Sequence, residues 1–118
     1  MNHQPNEEKM EKRANQVTER KLIVSVVLRA VKDYIDGNNP HKINRLRAKG
    51  QDHELSQLEK NFRSAKFWIF EERNNEYIFS FEKCCEIISI SPQRIRRGLE
   101  QLIRTNYQTP KSEIRQAV

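Results

Sequence analysis

The run Ser80-Phe-Glu-Lys-Cys-Cys-Glu-Ile-Ile-Ser-Ile-Ser-Pro-Gln-Arg-Ile-Arg-Arg-Gly-Leu99 constrains this chain most, because it carries two helix-start signals in close succession. Ser80 supplies an N-cap hydroxyl and Glu82 places an acid in the first turn, at the positive end of the helix dipole. At about 100° per residue, Phe81, Cys84, Cys85 and Ile88 then fall on one face, which predicts a short amphipathic helix. Ser89-Ile90-Ser91 interrupts it. Ser91 offers a second N-cap, and Pro92 stands where a first-turn residue needs no backbone N–H. A second helix is therefore expected from Pro92 to Arg104, after a tight turn.

On that second helix Ile95, Leu99, Leu102 and Ile103 cluster on one side, while Arg94, Arg97, Gln101 and Arg104 project from nearly the opposite side. One side packs and the other is open to a polyanion. A guanidinium is a planar fork that binds phosphate oxygens or takes guanine O6 and N7 in a bidentate way. Gln93 and Gln101 suit adenine. Arg94, Arg97, Gln93 and Gln101 are thus the expected base contacts, with Ser91, Arg96 and Arg104 on phosphates; Arg96 lies between the two faces. The plainer reading is that these arginines only solvate a surface helix.

The pattern resembles the helix-turn-helix superfamily of bacterial transcription regulators. There, a small residue within the first helix and another in the turn allow close helix crossing. Cys85 and Ser89 fill those places, Ile90 follows the turn, and Ile95 sits in the middle of the second helix. Ser89 stands where glycine is commonest, and Gly98 where a bulky apolar residue is expected, with Leu99 one place on. The resemblance covers about twenty residues and implies major-groove reading of double-stranded DNA by the helix 92–104. The longer stretch from Ala65 to Leu99 is also similar to a group of small, mostly uncharacterised bacterial proteins. It shares their Trp68-Ile69 pair, the Phe79-Ser80-Phe81 entry, a cysteine in the next helix, and Pro92-x-x-Ile95-Arg96-Arg97. That likeness implies that the aromatic segment and the helix-turn-helix form one unit.

Charge supports a polyanionic partner. The chain of 118 residues carries formal charge +6, and its isoelectric point is near 9.5. The distribution says more than the sum: positions 37–66 hold seven Lys/Arg against three Asp/Glu, and positions 93–118 hold six against two. Positions 67–92 hold two against five. The first basic block contributes Lys42, Arg45, Arg47 and Lys49 as further expected phosphate contacts, and such clustering is what counterion release exploits.

Three glycines and four prolines suit a largely helical single domain. The fold class expected is all-α, with a possible short extended segment near 77–80, where Tyr77, Phe79 and Phe81 alternate. Positions 1–16 lack a periodic apolar stripe and read as a flexible tail, 17–105 as the helical domain, and 106–118 as a second loose tail. Thr18 is expected to cap a core helix running to Asp36, its stripe made by Val24, Val27, Leu28, Val31 and Ile35, with Gly37-Asn38 as the stop. His41 to Lys49 is a short helix or a basic loop. From Asp52 a longer helix is expected, since Leu55, Leu58, Phe62, Ala65 and Ile69 recur at spacings of three and four. That stripe reads as monomer core or, alternatively, as a homodimer seam, and the N-terminal helix, generous in Val, Leu and Ile for so small a domain, is the other surface that could serve a dimer.

Catalytic signals are thin. His3, His41 and His53 lack metal-ligand spacing, and Asp52-His53-Glu54 is adjacency rather than a helix-face arrangement. Cys84 and Cys85 read as buried thiols, poorly placed to bridge each other. No cofactor and no catalysis are expected. The densest apolar stretch, Leu22 to Leu28, is too short to span a bilayer, so a cytoplasmic protein without membrane contact is expected. Two alternatives stand beside duplex DNA: an adaptor docking on a protein such as RNA polymerase, and RNA or single-strand binding by Phe67, Trp68, Phe70, Tyr77, Phe79 and Phe81.

Overall fold

Helix formation begins far earlier than the apolar periodicity does. The computed structural model describes residues 4–73 and 76–108, and the fold is all-α. The first helix, α1, spans Gln4–Gly37, 34 residues, or about 51 Å at 1.5 Å per residue. The segment expected as a flexible tail is therefore helical from Gln4, and Thr18 lies inside the helix rather than at its cap. Once a packed C-terminal half pays for nucleation, each further residue adds a hydrogen bond at little cost, and the Glu, Lys, Arg, Ala and Gln of this segment have high helix propensity. Positions 1–3, with His3, and positions 109–118 of the expected C-terminal tail lie outside the described residues.

The buried side of α1 keeps three of the five expected residues, Val27, Val31 and Ile35, and replaces the other two with Ile23 and Tyr34. Ile23 and Val27 are buried, and Ala30, Val31, Tyr34 and Ile35 pack against them. Val24 and Leu28, assigned to the core stripe from sequence, are 37% and 61% exposed. The two columns are neighbours on the helix, and only tertiary packing chooses between them.

Asn38 and Asn39 turn the chain. The Asn39 side chain accepts from the N–H groups of His41 and Lys42, and Pro40 opens α2, Pro40–Ala48. This helix has no buried residue. Its end is a left-handed turn: Gly50 has φ 67°, its N–H donates to Arg47 O at 3.1 Å, and Gln51 N–H donates to Leu46 O at 2.9 Å. That pair of bonds is the Schellman arrangement.

The next helix, α3, spans Asp52–Lys66 and widens into a π-helical turn over Phe67–Glu71. Its stripe turns inward: Ala65 and Ile69 are buried, Leu55, Leu58 and Phe62 half-buried. Monomer packing thus uses the surface that had an alternative reading as a dimer seam. Gly37 admits Phe62, since a Cβ there would collide with that ring. Tyr34 stacks on Phe62 at 5.4 Å and lies 5.1 Å from Phe70.

Tyr77, Phe79 and Phe81 do not form a strand. Ser80 N–H donates to Tyr77 O at 2.9 Å, closing a turn. A lone extended segment has no ladder partner for its backbone groups, whereas a turn satisfies part of them internally. Trp68 Nε1 donates to Phe79 O at 2.9 Å, and its ring meets Phe81 edge-on at 5.3 Å. Ile23, Val27, Ile69, Phe81, Cys84, Cys85, Ile88 and Leu99 form one core. The aromatic segment and the helices that follow it are therefore one packed unit.

Candidate nucleic-acid interface

The two helices expected from their caps are present. Ser80 Oγ accepts from Lys83 N–H at 3.2 Å and opens α4, Phe81–Ile87. Ser91 Oγ accepts from Arg94 N–H at 3.4 Å and opens α5, Pro92–Ile103. Between them Ser89 N–H donates to Glu86 O at 3.2 Å and Ile90 N–H to Cys85 O at 3.0 Å, the same Schellman closure that Gly50 makes. Ser89 adopts φ 60° to do so, at a cost that glycine would avoid.

Packing fixes the orientation of α5. Leu99 and Ile103 are buried and Ile95 is half-buried, so Leu99 takes the buried place that Gly98 leaves empty. Leu102 and Ile90 differ from expectation at 36% and 45% exposure. Opposite the buried side, Gln93, Arg94, Arg97, Gln101 and Arg104 are all exposed. No acid occupies the first turn of α5, and Arg94 and Arg97 form no ion pair among the described residues. Ser91 and Gln93 are partly engaged with one another, hydroxyl to side-chain Oε1 at 3.3 Å.

Arg96 belongs to the fold rather than to the open face. Its Nε donates to Ile69 O at 2.7 Å, one guanidinium nitrogen lies 3.4 Å from Glu82, and the group sits 5.2 Å from the centre of the Phe81 ring. It caps a carbonyl at the end of the π-helical turn, where the helix dipole favours a cation. The expected phosphate contact at Arg96 is thus replaced by a clamp joining α5, α4 and the 67–71 turn. Ile69, Phe81 and Glu82 carry this clamp; the sequence placed them on apolar faces or in a first turn but not against Arg96, and the one signal for the clamp was the position of Arg96 between two faces.

The α2 block divides similarly. Lys42 lies 3.0 Å from Asp36, which Lys32 also reaches at 2.9 Å. Burial alone would raise the Asp36 carboxyl, but hydrogen bonds and charge from Lys32 and Lys42 outweigh it and hold it below the ordinary range. Arg45, Arg47 and Lys49 are exposed near the C-terminal end of α2, where cations suit the dipole.

Cys84 and Cys85 are free and buried. Burial, with Cys84 alongside, pushes the Cys85 thiol up to about 11, and burial raises Cys84 as well. No group of His, Cys, Asp and Glu suited to a metal occurs among the described residues, and no described helix is long and apolar enough to cross a membrane. The aromatic cluster splits: Phe81 is buried and Trp68 and Phe70 half-buried, whereas Phe67, Tyr77 and Phe79 are exposed. No family model, curated protein or solved structure matches the chain.

Proposed function

We propose that this protein binds double-stranded DNA in a sequence-specific way and acts in transcription regulation, with α5 as the helix that enters the major groove. One observation carries the reading: a capped helix, fixed by Leu99 and Ile103 and clamped by Arg96, turns Gln93, Arg94, Arg97 and Gln101 outward together. A helix fits that groove, and a fixed side chain discriminates bases where a mobile one only tracks charge. Arg94 and Arg97 take guanine, Gln93 and Gln101 adenine. Ser91, Arg104, Arg45, Arg47 and Lys49 hold phosphates, while Lys42 and Arg96 are committed to intramolecular partners.

Selection from a random duplex pool, read by fluorescence anisotropy at two salt concentrations, tests this. Enrichment of a defined site supports the reading. Weak binding that salt erases, without enrichment, removes it.

A second reading, RNA or single-strand binding, is favoured by the exposed rings of Phe67, Tyr77 and Phe79, since stacking on aromatic faces is how such strands are held. Tighter binding to single strands than to duplex, lost in Phe79→Ala, would select it.

A further inference from the structure

A second apolar column runs along α1 beside Ile23 and Val27, and its C-terminal members, Val31 and Ile35, also pack against the core. Val17, Val24 and Val31 recur every seven residues, Leu28 and Ile35 follow Val24 and Val31 by four, and Lys21 fills the remaining place. β-Branched residues at one position of a seven-residue repeat, with Leu or Ile at the other, are the spacing of a helix that packs along another helix. Yet Val17 is 52%, Val24 37% and Leu28 61% exposed. Toward its C-terminal end the column forms one wall of an open apolar groove of about 420 Å³, with Ile90, Ile95 and Leu102 opposite and Arg94 among the lining residues. Gly98 keeps that groove open, with nothing within 4 Å of where its Cβ would stand.

We propose that this face is a homodimer seam, in which a second copy lays its α1 column into the groove between α1 and α5. Area argues for a protein-sized partner. Val17, Val24, Leu28, Ile90 and Leu102 leave on the order of 300 Å² of apolar side chain uncovered, and a standard interface takes roughly 800 Å² from each partner, a little over half of it apolar. The half-buried Val31, Ile35 and Ile95, with the stem of Lys21, supply much of the difference. Self-complementarity argues for a second copy in particular: a two-fold contact must present ridge and groove on one surface, and here the α1 ridge lies beside the α1–α5 groove. Pairing of the α5 helices on two half-sites rests on the DNA reading above; the dimer itself does not.

Sedimentation equilibrium of the full chain, without DNA, is the test. The expected mass is twice the 14.1 kDa of the chain. Leu28→Glu and Leu102→Glu, each placing a charge in the seam, should give folded 14.1 kDa species with unchanged helical circular dichroism. Leu22→Glu should stay dimeric, because Leu22 is 60% exposed but lies about 120° round the helix from Leu28. If Leu28→Glu unfolds, Leu102→Glu on the other wall carries the test. A monomeric wild type overturns the proposal, as does a dimer that survives the seam charges. A dimer that binds no DNA would refute the function and leave the seam standing.

Discussion

The chain builds the same helix–turn–helix outline twice, α2 into α3 and α4 into α5, with the same pair of backbone bonds closing each turn. They differ in what holds the helices and where the charge lies. In the first unit α2, with Lys42, Arg45 and Arg47, has no buried residue, and α3 opens with Asp52 and Glu54 and no side-chain cap, its Lys60, Arg63 and Lys66 standing in its later turns. Acids at that helix start repel phosphate. In the second unit α5, with Arg94, Arg96 and Arg97, is capped by Ser91, has no acid in its first turn, and buries Leu99 and Ile103. Turn chemistry alone therefore does not distinguish the two units; burial behind the helix and the sign of charge at its start do. Under the function proposed above, the first unit attracts phosphate diffusely and the second discriminates bases.

Removing the clamp should have the largest effect on this contrast. Arg96→Ala deletes a hydrogen bond to a carbonyl, a half-buried ion pair and a ring contact, and is expected to cost about 2 kcal/mol of stability. Arg96→Lys should restore only part of it, since an ammonium cannot serve Ile69 O and Glu82 in the fork geometry. Chemical denaturation measures both, and equal stability of wild type and Arg96→Ala would show that α5 is held by its apolar side alone.

Next comes an exchange of the two turn residues. Ser89→Gly should stabilise by about 0.5–1 kcal/mol, and Gly50→Ser should destabilise by about 1 kcal/mol, because each position needs the left-handed region. Opposite signs in thermal melts support equivalent turns. A loss from Ser89→Gly would mean that the serine hydroxyl contributes more than its backbone strain costs.

Lys49→Ala should leave stability within about 0.5 kcal/mol and lower the salt slope of DNA binding by about one unit for every sequence. A loss confined to one sequence would move α2 from phosphate to base contact.

The smallest effect is in acid. Asp36 is held below the ordinary carboxylate range, so its folded form binds a proton less readily than its unfolded form. The stability it contributes is present above the ordinary range and fades as pH falls through its lowered pKa. Lys42→Ala should make the acid limb of the stability curve shallower. An unchanged limb would remove the α1–α2 pair from the account.

What was legible in the sequence follows from how local each determinant is. The start of α5 could be placed because Ser91 and Pro92 act within one turn of themselves, and the start of α3 at Asp52 followed from the periodic stripe behind it. Arg96 could not be assigned because its partners lie 27 and 14 positions away. The columns of α1 through Val27 and through Leu28 are adjacent, and the choice between them belongs to α3 and α4, which pack on that helix. The alternation Tyr77, Phe79, Phe81 resembled a strand, but its outcome depended on whether a partner strand exists, which no local pattern encodes. Exposure of the Arg94 and Arg97 face followed correctly from helical phase, because Leu99 and Ile103 on the opposite side had only one place to go.

The central claim is that α5 reads bases while α2 holds phosphates. The most direct measurement compares two double variants, Arg94→Ala/Arg97→Ala and Arg45→Ala/Arg47→Ala, on the selected duplex and on a scrambled one at fixed salt. The account predicts that the α5 variant loses about 1–3 kcal/mol per arginine on the selected site and far less on the scrambled one, whereas the α2 variant weakens both alike. Equal, sequence-blind losses from the two variants would contradict it.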